Sequence, residues 1–507
     1  MKRNLLFVLF CIVLILSACG SENGSSSKGN DIVVAFGSEP ITLDPQDAND
    51  AVSNQANVLL YDKLVTFDKE NNVVPELATK WEAAEDATGI TFTLREDVTF
   101  QDGTPFNAEA VKINFERILD EENKLSRHSL YADFIESVIV DSEYQVTFKF
   151  KEAFGPALSS FAHGAGGIIS PKAIKDNADI GKQPVGSGPY KLKKWTPGTE
   201  LVLEVNPEYW GGKKKLDTIT FKPVPENSSR TIMLENGEVD VIAPIATQDI
   251  ERLKENKNVT VNTTPIYRTI YITINQSNPI FENVKVRQAL NYAVDKNTLV
   301  DKILLGQGKV AEAAIGSSVA GYSSVGTYEY NPEKAKELLA EAGIEEGTTI
   351  KLWTPDGRYL MDSKIAEFIQ ANLQEVGFNV EFQKWEWSAY SNMLDDPDSD
   401  YDLIVNSWGT STGDADWGLR PLFTTDGSNN YSNYSNSEVD KLITEGLSNP
   451  NIEERTKIYN KAMNIIKDEA PWIFLAEYQT ATGVRNDLQG VYTWGNEYVI
   501  LRDAERK

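Results

Sequence analysis

Two segments of the chain carry side chains suited to holding a small charged ligand. The first, Trp353-Thr354-Pro355-Asp356-Gly357-Arg358, follows an expected strand and precedes a helix expected from Asp362. In open α/β sheets ligands gather beyond the carboxyl ends of strands, and helix N-terminal amides there favour anions. A guanidinium in such a loop can grip both oxygens of a carboxylate, which a Lys ammonium cannot do. The plainer alternative is a solvated loop arginine. The second segment runs from Ser407 to Trp417 behind an apolar strand. It offers indoles at Trp408 and Trp417, hydroxyls at Thr410, Ser411 and Thr412, a flexible Gly413, and carboxylates at Asp414 and Asp416. Carboxylates hold an ammonium group, hydroxyls and amides hold polar backbone, and indole faces wall a cavity. Either aspartate could instead cap a following helix.

Other residue groups are weaker candidates. Trp385-Glu386-Trp387-Ser388-Ala389-Tyr390 either lines the same cleft or packs. Arg268 and Arg420 could take a second carboxylate, and each also reads as a surface or structural arginine. Alternating acids over 396–400 suggest calcium, but Tyr401 and Ser407 stand where an EF-hand loop needs Gly and Glu. Gly186-Ser187-Gly188 lacks the spacing of a nucleophile elbow, and His128 and His163 lack metal-ligand spacing. No metal site and no cofactor is expected. Asp414 and Asp416 could support the acid–base chemistry of a hydrolase, but no orienting partner or nucleophile accompanies them.

The elements that must position these groups follow from apolar periodicity. Strands are expected over 32–36, 90–94, 145–150, 190–195, 201–205, 217–224, 349–354, 378–382 and 401–408. Helices are expected over 51–64, 227–235, 284–294, 332–342, 362–376 and 456–468, and from Asn107 with its capping side chain. Strand 349–354, helix 362–376 and strand 378–382 form a β-α-β unit, which favours parallel pairing. The pattern is an α/β chain of two lobes.

The chain has 507 residues, with 49 Lys+Arg against 75 Asp+Glu and a formal charge of −26. Such a surface repels nucleic-acid phosphates, so no nucleic-acid partner is expected. Hydrophobic residues make up 41%, enough for a real core. Both cysteines, Cys11 and Cys19, lie at the N-terminus, so the body has no disulfide framework. Residues 1–18 read as an export signal: Lys2 and Arg3, an apolar run over 5–16, then small residues. Leu16-Ser17-Ala18-Cys19 reads as a lipoprotein box, with Cys19 taking the lipid and a flexible Gly/Ser-rich tether over 19–30.

Several segments, in order, resemble the large solute-binding lipoproteins of bacterial ABC importers, the peptide, nickel and glutathione class. They are Leu77-Ala78-Thr79-Lys80-Trp81-Glu82 with Thr91-Phe92-Thr93-Leu94-Arg95, Phe100-Gln101-Asp102-Gly103-Thr104-Pro105-Phe106, Gly186-Ser187-Gly188-Pro189-Tyr190, Tyr209-Trp210-Gly211, Val286-Arg287-Gln288-Ala289 and Asn331-Pro332-Glu333-Lys334-Ala335. The resemblance implies a periplasmic-binding-protein-like fold of two lobes that close on ligand about a hinge. Lobe I would comprise 31–60, 183–275 and 479–507, with an extra subdomain over 61–182, and lobe II 276–478. Arg358 would anchor a carboxylate. Dipeptide binders of this class carry an amine-pairing Asp where this chain has Ser411. The run Trp408 to Trp417 followed by Pro421-Leu422-Phe423 is similar to the glutathione-binding branch, with Asp414 in place of a Glu. Glutathione carries two carboxylates and one ammonium, matching Arg358 with an acidic loop.

The implied function is binding and delivery to an ABC permease, with no catalysis, by a monomer lipid-anchored on the outer face of the cell membrane. The tether suits a Gram-positive surface, the periplasmic side being the alternative. Short peptides or chelated nickel are alternative ligands. A membrane-anchored hydrolase is the alternative of another class.

Overall fold

The computed structural model describes residues 29–394, 396 and 399–507. The expected signal, Cys19, most of the tether and part of the 396–400 turn lie outside the described residues. Two long antiparallel strands, Val259–Ile274 and Trp472–Arg485, form the spine of the molecule and pair along most of their length. The first is rich in β-branched and aromatic residues, which suit a pleated, half-buried surface. Its alternation sends Ile270, Ile272 and Ile274 into one apolar cluster and Tyr267 and Tyr271 into another. Pairing is irregular between Pro265 and Thr269, as expected near a residue without a ladder donor. Arg268 lies within that irregular stretch.

On one side of this spine the sheet continues through Leu403–Gly409, Thr349–Pro355 and Asn379–Trp385. Thr349–Pro355 is parallel to both of its neighbours, and helix Asp362–Glu375 follows it, as the β-α-β pattern predicts. Ile365, Ile369 and Leu373 of that helix, spaced for one face, are fully buried. On the other side the sheet runs through Val241–Ile242, Asp31–Phe36, Thr218–Pro223, Glu200–Val205 and Tyr190–Thr196. One sheet therefore serves both lobes, and the two crossing strands belong to each.

A separate four-stranded sheet, with Gly89–Leu94 and Gln145–Phe150 at its centre, builds the extra subdomain. Helix Ala108–Leu119 covers it, and the Asn107 side chain caps that helix by accepting the Ala110 N–H at 3.0 Å. Phe92, Phe115, Phe148 and Phe161 meet edge-on or tilted in its core. Ile169, Ala173 and Ile180 pack in another cluster, with Ile32 and Val34 of the large sheet. Trp494 and Tyr498 of the C-terminal tail pack on the subdomain core.

Some element bounds differ from expectation. The first helix stops at Leu60, where Tyr61 turns extended, and Val65–Phe67 is a strand. The helix expected from 456 starts at Ile452, because the Asn451 side chain takes the Glu453 and Glu454 amides. No helix among the described residues is long and apolar enough to cross a membrane.

Candidate ligand-binding site

A cavity of about 520 Å³ opens where the crossing strands meet the two lobes, within the ~300–1,000 Å³ usual for small-molecule sites. Arg358 reaches it from the loop after Thr349–Pro355. Asp362 folds that loop by accepting the Arg358 and Tyr359 amides at 2.8 and 3.0 Å and the Gly357 and Ser363 amides at 3.2 and 2.7 Å. The anion at this helix start is thus the protein's own side chain. The guanidinium of Arg358 makes no ion pair with a carboxylate among the described residues. It lies 4.6 Å from the ring centre of Trp387 and 5.8 Å from that of Tyr359, a cation–π arrangement that fixes its orientation. The neighbouring Trp385 and Tyr390 are packing residues: Trp385 sits against Trp353, and the buried Tyr390 hydroxyl donates to the Val405 carbonyl at 2.8 Å.

Arg268 enters the same cavity from the crossing strand, opposite Gly409. A Cβ at Gly409 would stand 2.8 Å from a guanidinium nitrogen of Arg268, so the glycine makes room for the charge. Tyr359 and Tyr478 stand nearby. Burial pushes the Tyr359 phenol up to about 12 although Arg358 and Arg268 pull it down, and its hydroxyl donates to Asn406 at 3.2 Å. Tyr478 is raised by burial against the same pull of Arg268, and its hydroxyl donates to the Leu360 carbonyl at 3.0 Å. Among the described residues neither Arg268 nor Arg358 forms an ion pair with a carboxylate. Glu497, from the C-terminal tail, is the single carboxylate among the described residues lining the cavity. Burial lifts its carboxyl above the usual range, with Arg268 opposing. A second depression, about 470 Å³, lies at Gly377 and Phe378, before the amino end of a sheet strand, the wrong end for an α/β ligand site.

The second sequence segment is placed differently. None of its residues lines the cavity. Trp408 donates its indole N–H to the Trp417 carbonyl at 2.8 Å, and the two rings lie 6.3 Å apart. The buried Thr410 donates its amide to the Tyr267 carbonyl at 2.7 Å, and Ser411 is exposed. The Thr412 hydroxyl faces the Asp414 amide at 3.4 Å, and Gly413 takes a φ of +69° with the Tyr267 ring against it. Asp414 caps helix Ala415–Phe423 through the Asp416 amide at 3.0 Å and makes a buried ion pair with Arg455. Asp416 is held by Arg420 at 2.9 Å, and burial raises its carboxyl while Arg420 pulls it down. Both carboxylates are neutralised inside the protein, so neither offers a free charge to a ligand amine. The Arg420 candidate is engaged in the same pair, whereas Arg268 is brought to Arg358.

The sequence model of bacterial extracellular solute-binding proteins, family 5, middle region, matches residues 72–430. The chain belongs to this family. Glutathione-binding protein GsiB of Salmonella typhi is 34% identical to it over 486 residues, 94% of each chain. GsiB of Escherichia coli K12 is 34% identical over 484 residues, again 94% of each. Among solved structures, HbpA2 from Haemophilus parasuis aligns with a TM-score of 0.87 at 27% identity, covering 94% of this chain and 100% of that one. DppA from Helicobacter pylori in complex with the peptide STSA aligns at 0.74 and 25% identity, covering 94% and 98%. Family 5 members are solute-binding proteins of transport systems, and the two-lobed architecture is theirs.

Within this family 5 chain the cavity is assembled from segments far apart in sequence. Arg358 was signalled by its position after a strand, and Arg268 only by residue type. Glu497 had no local signal, because its approach depends on the tail folding back onto the first lobe and the crossing strands.

Proposed function

We propose that this protein is the glutathione-capturing component of an ABC importer. The reading rests on one observation above all: two guanidinium groups, Arg358 and Arg268, share one cavity and neither has a carboxylate partner among the described residues. Arg358 is exposed and Arg268 half-buried, and two guanidiniums without a carboxylate partner attract a ligand bearing two carboxylates through strong charge-assisted bonds. The GsiB relatives, alike along 94% of the chain, support glutathione as that ligand. The mechanism is capture by hinge closure. Ligand contacts made only when the lobes approach stabilise the closed population, and no bond is made or broken. We further place the mature protein outside the cell, lipid-anchored at Cys19, as a monomer that hands its cargo to the permease.

Calorimetry with reduced glutathione tests this reading. Wild type is expected to bind one molecule, recovered unchanged. Arg358→Ala and Arg268→Ala are each expected to weaken binding by at least ~1.5 kcal/mol, the size of a lost charged hydrogen bond. Unchanged affinity in both variants would remove the cavity from the binding role, and turnover of the ligand would replace capture by catalysis.

A further inference from the structure

We infer that Glu497 receives the ammonium group of the captured solute, so that a free amine is a condition of tight binding. The inference rests on the reading of this cavity as the solute site and adds the group that selects among anionic solutes. Two guanidiniums alone would accept any dicarboxylate. The cavity adds one carboxylate, and its side chain makes no hydrogen bond or ion pair with any described residue. The acidic loop that could have taken an amine is engaged elsewhere, Asp414 with Arg455 and Asp416 with Arg420.

The way Glu497 is held supports the assignment. It sits in the turn between the short paired strands Tyr492–Thr493 and Val499–Ile500. There its φ is +72°, a left-handed conformation that costs a non-glycine residue ~1 kcal/mol or more. Such a position persists only where the surroundings over-determine it. The Trp494 amide donates to Tyr498 O at 2.9 Å, the Glu497 amide to Trp494 O at 2.9 Å, and the Trp494 indole to Asp68 O at 3.0 Å. The Tyr267 amide donates to Gly495 O at 2.7 Å, and a Cβ at Gly495 would lie 2.2 Å from the Tyr267 ring. Tyr267 immediately precedes Arg268. One junction therefore fixes both the carboxylate and one of the guanidiniums, without letting them close into an ion pair. The charge pattern, two positive groups and one negative, complements a ligand with two carboxylates and one ammonium. Glu497 is exposed, so its carboxylate stands open at the cavity wall, and the nearby Arg268 favours its charged form.

The test compares reduced glutathione with glutaryl-cysteinyl-glycine, which lacks only the α-amino group, by calorimetry at neutral pH. Wild type is expected to prefer glutathione by at least ~tenfold, a charged hydrogen bond's worth. Glu497→Gln is expected to lose that preference by weakening glutathione, with the des-amino ligand held as tightly or more so. If the unliganded melting point shows that the variant does not fold, the wild-type preference alone decides. Wild type that binds glutathione without preference, or a folded E497Q that keeps the preference, overturns the Glu497 assignment and leaves the glutathione reading standing. Wild type that binds neither ligand overturns both.

Discussion

Arg358 and Arg268 illustrate how one residue type serves two ends in this chain. Both face a cavity and lack a carboxylate partner among the described residues, whereas Arg455 and Arg420 neutralise Asp414 and Asp416 inside the fold. Residue chemistry alone did not separate Arg358 and Arg268 from Arg420, since each of these three had a local reading as ligand anchor and as structural cation. His163 shows the same dependence on surroundings. It is buried, and its Nδ1 accepts the Ala165 amide at 3.1 Å, which requires the neutral ring. Burial, with Arg127 and Lys63 adding to it, holds its pKa near 3 against an ordinary 6.5. Between those values the unfolded chain takes up a proton that the folded chain refuses. Stability is therefore fully present above pH 6.5 and is lost as pH falls toward 3. The expected contribution is a loss of about 2 kcal/mol between pH 7 and pH 5. Urea titrations at both values, compared with His163→Gln, check it: the variant should lose less on acidification.

Elements were legible where their signals are local. The helix start at Asn107 depends on a side chain reaching an amide three residues on, and the β-α-β unit is written in consecutive segments, whereas the equally local cap at Asn451 was missed. The crossing strand Val259–Ile274 was not legible, because polar Asn262-Thr263-Thr264 and Pro265 interrupt its alternation and its partner lies some two hundred residues away. The acidic loop was misleading for a related reason. Nothing near Asp414 shows that Arg455, 41 residues later on helix Ile452–Glu469, will meet its carboxylate. Asp414 also accepts the Ser159 hydroxyl of the extra subdomain at 3.4 Å, so this one side chain ties three elements together. Asp414→Ala should therefore cost roughly 3–5 kcal/mol of unfolding free energy by stranding a buried arginine. Denaturant titration reads the stability and calorimetry reads the amine preference, which should not change. A stable D414A protein that has lost that preference would return the amine site to the acidic loop.

At the scale of the whole molecule, the proposed mechanism is closure of two lobes on a captured solute. One sheet spans both lobes through two crossing strands, and the cavity sits where those strands are irregular. Arg358 lies in the loop after strand Thr349–Pro355, Glu497 in the C-terminal tail beside Trp494 and Tyr498, which pack with the core of the four-stranded subdomain, and Arg268 on the crossing strand itself. A ligand touching all three is held by both lobes and favours their approach. The Gly155 amide, bonded to Leu447 O at 2.6 Å, joins the segment after strand Gln145–Phe150 to helix Ser437–Leu447. The resemblance legible in the sequence reached this architecture, but the charge pattern of the site emerged only when distant segments were brought together. A ligand bound only by the native state at a hundred times its Kd stabilises it by ~2.7 kcal/mol. The most direct measurement is the melting temperature of the purified protein with reduced glutathione, oxidised glutathione, dipeptides, a tetrapeptide and nickel–histidine in parallel. Reduced glutathione is expected to raise it, and Arg358→Ala to diminish that rise. A rise with the tetrapeptide or nickel–histidine and none with either form of glutathione would contradict the glutathione reading.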